Sequence, residues 1–140
     1  MKKAIIASML TITLSAFAGE VTVSEAHDYG VKENGFRVGT SVAGLSLTAT
    51  HIDSKYNRYA VGKEVEVTKV GPVALSAGGS VSYQDTVRAK DGYGLTVGAK
   101  ATLPITKSVD LVAGAERFVG QNRVSSFNGN VGTIGLTAKF

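Results

Sequence analysis

From Glu20 onward the chain repeats one pattern. Segments of about ten residues alternate apolar and polar side chains, and each ends in turn-forming residues. Successive side chains of a β-strand point to opposite faces, so such a segment folds into a strand with one greasy and one polar face. Val73 to Gln84 is the clearest case. Val73, Leu75, Ala77, Gly79, Val81 and Tyr83 lie on one face, with Ala74, Ser76, Gly78, Ser80, Ser82 and Gln84 on the other. The helical period is hard to find after Ala18. Glycine supplies 17 of the 140 residues, proline only two and cysteine none. The lack of cysteine excludes disulfides, thiolate metal sites and cysteine nucleophiles.

The pattern predicts eight strands: Glu20 to about Tyr29, Phe36–Val42, Gly44–Asp53, Asn57–Thr68, Val73–Gln84, Tyr93–Leu103, Val109–Glu116 and Val131–Phe140. Asn34-Gly35 is a tight-turn signal between the first two. The connections alternate in character. Those at Ala43-Gly44, Lys69 to Pro72 and Pro104 to Lys107 are short. Those at Gly30 to Gly35, Ser54 to Tyr56, Asp85 to Asp91 and Gly120 to Asn130 are mostly longer and more polar. Short turns at one end and longer loops at the other suit an up-and-down barrel that crosses a membrane, with both termini at the short-turn, periplasmic side.

Residues 1–18 read as an address. Lys2 and Lys3 form a positive start, Ala4 to Leu14 is largely apolar, and Ala16-Phe17-Ala18 fits a small-x-small cleavage site, which predicts a signal peptide removed after Ala18. Residues 19–140 then form the mature domain. Losing Lys2 and Lys3 lowers the formal charge from +4 to +2. With no basic cluster, that excludes a case for nucleic-acid binding. No apolar run is long enough for a membrane-spanning helix.

Alternation alone also fits a soluble β-sandwich. Three features favour a lipid-facing apolar side. Phe36, Tyr59, Tyr83 and Tyr93 share the apolar parity and sit at the loop ends of their strands, and Phe118 sits at the same end one position out of parity, as in an interfacial aromatic girdle. The middle of the apolar face carries small aliphatic residues. The polar face carries Arg37, Arg58, Lys100 and Lys139 against Glu64, Glu66, Asp110 and Glu116. Side chains fill an eight-stranded barrel, so these charges are expected to pair in its lumen. Two residues resist this reading. Lys63 and Glu25 carry charge on the lipid-facing parity; for Lys63, a snorkelling side chain, a bulge at Gly62 or a different register would resolve the conflict.

The chain ends Thr133-Ile134-Gly135-Leu136-Thr137-Ala138-Lys139-Phe140. Thr133, Gly135, Ala138 and Phe140 occupy the places of the terminal assembly signal of bacterial outer-membrane proteins, although Ala138 is smaller than the usual apolar residue. With the signal peptide, the chain resembles small OmpA-like and OmpX-like eight-stranded barrels of Gram-negative bacteria. The resemblance implies an outer-membrane location, contact with lipid and lipopolysaccharide, insertion by the barrel assembly machinery through the last strand, and a monomer. It also implies roles in adhesion, resistance to host defences or phage attachment, exerted through loops such as Gln121 to Asn130.

Catalytic chemistry is thin. His27-Asp28 and His51 with Asp53 and Ser54 lie at the loop rim, a composition compatible with acyl transfer or hydrolysis by an outer-leaflet enzyme. A third metal ligand is not indicated by spacing, and no cofactor is expected. Three readings follow: a non-enzymatic barrel with a structural or surface-binding role, which is the expectation here; a rim enzyme modifying lipid A or peptides; and a soluble secreted barrel that binds a ligand.

Overall fold

A computed structural model describes residues 19–42, 44–86, 92–120 and 129–139. The predicted signal peptide and Phe140 lie outside the described residues. So do positions 87–91 and 121–128, which hold most of the two longest predicted loops. Among the described residues the chain forms eight strands: β1 (Glu20–Asp28), β2 (Glu33–Val42), β3 (Leu45–Ile52), β4 (Tyr56–Val70), β5 (Val73–Thr86), β6 (Gly92–Pro104), β7 (Val109–Gly120) and β8 (Gly129–Lys139). Each pairs antiparallel with its sequence neighbour, and β1 pairs with β8 to close the barrel.

The pairing fixes how strongly the strands slant. From Ser24 on β1, one row of partners runs through Arg37, Thr50, Arg58 and Gln84 to Gly92 on β6. The opposite route runs through Gly135 and Val112 and reaches β6 at Thr102. The two arrivals, Gly92 and Thr102, are ten residues apart. A stagger of that size in an eight-stranded barrel goes with a tilt of roughly 35–45°.

The barrel is inside-out relative to a soluble protein. Neighbouring residues on one strand decide this: Val97 is 57 % exposed and Thr96 4 %, while Leu136 is 50 % exposed and Thr137 5 %. The predicted apolar face is therefore the outer face, as in barrels that cross a membrane.

Two local departures from the sequence reading matter later. The first hairpin turns at residues 29–32, with Lys32 in the left-handed region (φ 57°), while Asn34 and Gly35 are already paired within β2. Asp28 draws the turn there, because its Oδ1 accepts hydrogen bonds from the backbone N–H of Gly30 (2.8 Å) and Val31 (3.2 Å). Second, β4 runs well past β3. The last paired residues are Ser46 and Gly62, and beyond them β4 is bonded only to β5. A bulge between Glu66 and Thr68 bends this extension. It turns back at Gly71, whose φ of +60° suits a residue without a Cβ. No bulge occurs at Gly62, which pairs regularly with both Ser46 and Ser80, so Lys63 keeps its outward parity and is exposed.

Candidate functional site: the barrel lumen and its rim

The inward side chains divide the lumen into two parts. Towards the longer connections, Ala26, Ile52, Tyr56 and Val131 form a dry cluster with Val31 packed against it. Arg58 lies just within this plug and is 2 % exposed. Its guanidinium stacks over Tyr56 (4.7 Å to the ring centre) and over Phe118 (4.1 Å). Nε and Nη2 both donate to Gln84 Oε1, at 3.2 and 3.0 Å, and Nη1 lies 3.6 Å from Glu116 Oε1. Tyr56 donates its hydroxyl to Asp28 Oδ2 (2.5 Å), the same carboxylate that holds the first turn. One buried acid thus ties the plug to the rim.

Towards the short-turn end the lumen loosens. A cavity of about 100 Å3, lined by Arg37, Thr48, Glu64, Thr96, Lys100 and Glu116 among others, has room for several waters. In and below this cavity charges pair between strands. Arg37 donates through Nη2 to Glu116 and through Nε to Thr50 Oγ1 (2.8 Å). Lys100 Nζ lies 2.9 Å from Glu64, and Lys139 Nζ lies 2.8 Å from Asp110.

Seven of the eight charges expected in the lumen therefore meet there: Arg37, Arg58, Glu64, Lys100, Asp110, Glu116 and Lys139. Glu66 does not join them. It lies on the part of β4 that has no β3 beside it and pairs with Lys69 at 3.8 Å, with both side chains at least half exposed. Glu116 consequently serves two arginines. The π faces of Tyr56 and Phe118 and the amide of Gln84 take the place of a second anion at Arg58.

Four of the five expected girdle residues, Phe36, Tyr59, Tyr83 and Tyr93, belong to the outward rows. Tyr59 pairs with Tyr83 and Tyr83 with Tyr93, whose rings are 5.2 Å apart. Phe118 is the correction. It is fully buried inside the barrel beneath Arg58, so its departure from the apolar parity marked an inward residue. Tyr29, which the sequence reading left out, is exposed and lies over the outer face of β8, so that a methyl group built on Gly132 would come 3.1 Å from its ring. The glycine at an otherwise apolar outward position was the available signal. Arg117, also unforeseen, is exposed on the outer face of β7, opposite Val97.

The two histidines lie on outward rows. His27 is hydrogen-bonded through Nδ1 to Asn34 (2.5 Å) and packs edge-on against Tyr29. His51 bonds to Asn57 (2.6 Å), lies 3.2 Å from Asp53 and packs against Phe36. β2 separates them, and Ser54 sits in a turn with left-handed backbone (φ 59°). Each ring is thus held by an asparagine of the neighbouring strand, on the outer face of the barrel. Among the described residues no group of three or more His, Cys, Asp or Glu side chains could hold a metal, and no helix is long and apolar enough to cross a membrane, which says nothing of strands.

At the closing seam Thr133, Gly135 and Ala138 pair with Ala26, Ser24 and Val21 of β1. The family described as YfaZ precursor matches residues 1–131. The chain belongs to that family. Among solved structures, a de novo designed transmembrane β-barrel is similar at 16 % identity, covering 88 % of this chain and 97 % of the design, with a TM-score of 0.58. The crystal structure of Neisserial surface protein A (NspA) is similar at 17 % identity, covering 86 % of this chain and 94 % of that one, with a TM-score of 0.50. No curated protein matches in sequence. This member of the YfaZ precursor family thus has the fold of small outer-membrane barrels.

Proposed function

We propose that this chain is an integral outer-membrane protein whose barrel is a closed scaffold and whose work is done by its extracellular connections. The observation that carries the proposal is the plug. Arg58, Tyr56, Phe118, Gln84 and Ile52 are all within 2 % of full burial, so that among the described residues side chains fill the loop end of the lumen. A rigid barrel with a filled centre has its loops left to vary, and loops held by rigid scaffolds are where binding functions concentrate. Export with a signal peptide and the family's precursor description support the location. Adhesion, resistance to host defences and phage attachment are the surface roles that fit.

Proteoliposome swelling with a disaccharide tests the closed lumen, and sustained swelling would overturn it. Cell fractionation with a heated and an unheated gel tests the location; a soluble chain with no heat-dependent migration contradicts it. Replacing residues 121–128 by a Gly-Ser linker tests the loop role. The variant is expected to keep its heat-dependent migration and lose phage adsorption, serum survival or surface adhesion. A variant unchanged in all three removes that loop from the function.

A further inference from the structure

Beyond the Ser46–Gly62 rung the barrel wall has a notch. Of β3 only Leu45 lies past that rung, while β4 runs on from Lys63 to Val70. At the strand tilt of this barrel, β4 thus descends on the order of 10 Å further than β3. Along this stretch the backbone groups of β4 that face away from β5 have no strand partner among the described residues. Next to lipid tails such groups are costly, and so is a lone charge. Lys63 supplies that charge. It is exposed on the outer face, between the exposed Val61 and Val65, one residue past the last rung. Inside the same corner lies the polar cavity of the lumen, whose lining includes Ser46, Gly62 and Glu64. The Glu64 side chain is 38 % exposed, and Lys100 holds its Oε2 at 2.9 Å. From the lipid side to the lumen side the notch therefore presents a cation, an open backbone edge and a carboxylate.

We propose that the notch holds the headgroup of a phospholipid that carries one phosphate and one primary ammonium, with its acyl chains along Leu45, Val61 and Val65 on the outer wall. The phosphate takes charge-assisted hydrogen bonds from the Lys63 ammonium and from N–H groups of the open β4 edge. The lipid's ammonium reaches past the edge to Oε1 of Glu64, since Lys100 sits on Oε2. The order of charges selects this occupant. A protein strand would satisfy the edge and leave Lys63 without an anion. Water would hydrate the edge and bring no counter-charge. A purely anionic headgroup would suit Lys63 and be repelled by Glu64. A headgroup of both signs meets all three features, and its chains meet the valines. The short-turn end faces the periplasmic leaflet in the proposed orientation, so this lipid comes from that leaflet. The proposal rests on the reading of the chain as a membrane barrel, and adds to it a lipid site at the end away from the loops.

The folded barrel in a mild detergent is titrated with phosphatidylethanolamine, phosphatidylglycerol or phosphatidylcholine, and the lipid bound per barrel is read by native mass spectrometry. One phosphatidylethanolamine is expected to bind at least about fivefold more tightly than either of the others. Phosphatidylglycerol has no ammonium for Glu64, and the quaternary ammonium of phosphatidylcholine donates no hydrogen bond. Lys63→Gln is expected to weaken phosphatidylethanolamine at least about fivefold. Glu64→Gln is expected to remove the preference over phosphatidylglycerol. Arg117→Gln, which removes an outward cation near the loop end of β7, is expected to change nothing. Heat-dependent migration verifies that each variant has folded. Wild-type protein without that migration overturns the membrane barrel and this site together. Folded protein that takes the three lipids equally overturns the site alone. So does a loss in Arg117→Gln as large as in Lys63→Gln, which would mark general attachment of lipid to any outward cation.

Discussion

The guanidinium carbon of Arg58 stands 4.1 Å from the centre of the Phe118 ring, and the ring is fully buried inside the barrel. An arginine removed from water requires compensation. In this barrel it comes from two aromatic faces, one amide and half of a shared carboxylate.

That arrangement predicts an order of damage. Arg58→Ala leaves Gln84 and the Tyr56–Phe118 slot without their partner and is expected to cost ~3 kcal/mol or more, in the range found when one member of a buried pair is removed. Arg58→Lys keeps the charge but loses the planar stack and the twofold bond to Gln84, so it falls between wild type and alanine. Phe118→Leu loses the cation–π contact and part of the packing, about 1–2 kcal/mol. Urea unfolding in lipid vesicles, followed by tyrosine fluorescence, ranks them. A lysine variant as stable as wild type would show that charge alone matters.

The fold was legible because strand periodicity is strong when one face must be greasy and the other polar. Val73–Gln84 and Tyr93–Leu103 could hardly be read otherwise. Parity also carried the lumen charges to their places. It failed where the strand ends were drawn too short. β4 begins at Tyr56, one residue before the predicted start, which hid Tyr56 from the plug. Its far part runs past the end of β3, which put Glu66 outside the lumen. Phe118 shows the other weakness. Its inward parity was visible, but an aromatic at a strand end suits the membrane boundary as well as a stacked cation inside, and only its closeness to Arg58 across the barrel distinguishes them.

The seam between β1 and β8 gives a second prediction. A methyl group built on Gly135 would overlap the carbonyl oxygen of Val23 and the Cα of Ser24, backbone atoms that cannot move without disturbing the ladder. Gly135→Ala is therefore expected to slow or prevent barrel closure even in detergent, where no assembly machinery is present. Gly79→Ala is the control: its nearest neighbour would be the Thr96 carbonyl oxygen at 3.7 Å, an ordinary contact. Refolding into micelles, scored by the fraction with heat-dependent migration, compares the two. Equal yields would confine the role of Gly135 to recognition by the assembly machinery.

Tyr29 offers a third. Its ring covers Gly132 and meets His27 edge-on at 4.7 Å between ring centres. Tyr29→Ala is expected to cost about 1 kcal/mol by losing an interfacial aromatic and its ring pair. Gly132→Leu should lose a similar amount by displacing the ring, and the double variant should lose less than the sum. Unfolding in vesicles measures all three, and strict additivity would mean that the ring does not rest on Gly132.

Ion pairs at different depths of the lumen should also differ in what they contribute. Arg37–Glu116 lies deep, at 14 % and 17 % side-chain exposure, whereas Lys100–Glu64 lies in the open lower part at 36 % and 38 %. Screening by water weakens the second pair, so a double-mutant cycle on Lys100→Met and Glu64→Gln is expected to give a coupling below about 1 kcal/mol. The same cycle on Arg37→Met and Glu116→Gln is expected to give about 1–3 kcal/mol. Glu116→Gln should also be the worse single change, since it strips both Arg37 and Arg58 of their anion, while Arg37→Met leaves Glu116 its contact with Arg58. Raising the salt concentration should reduce the Lys100–Glu64 coupling and leave the Arg37–Glu116 coupling nearly unchanged. Equal couplings with equal salt dependence would mean that water reaches Glu116 as freely as Glu64, and the filled centre of the proposed scaffold would have to be abandoned.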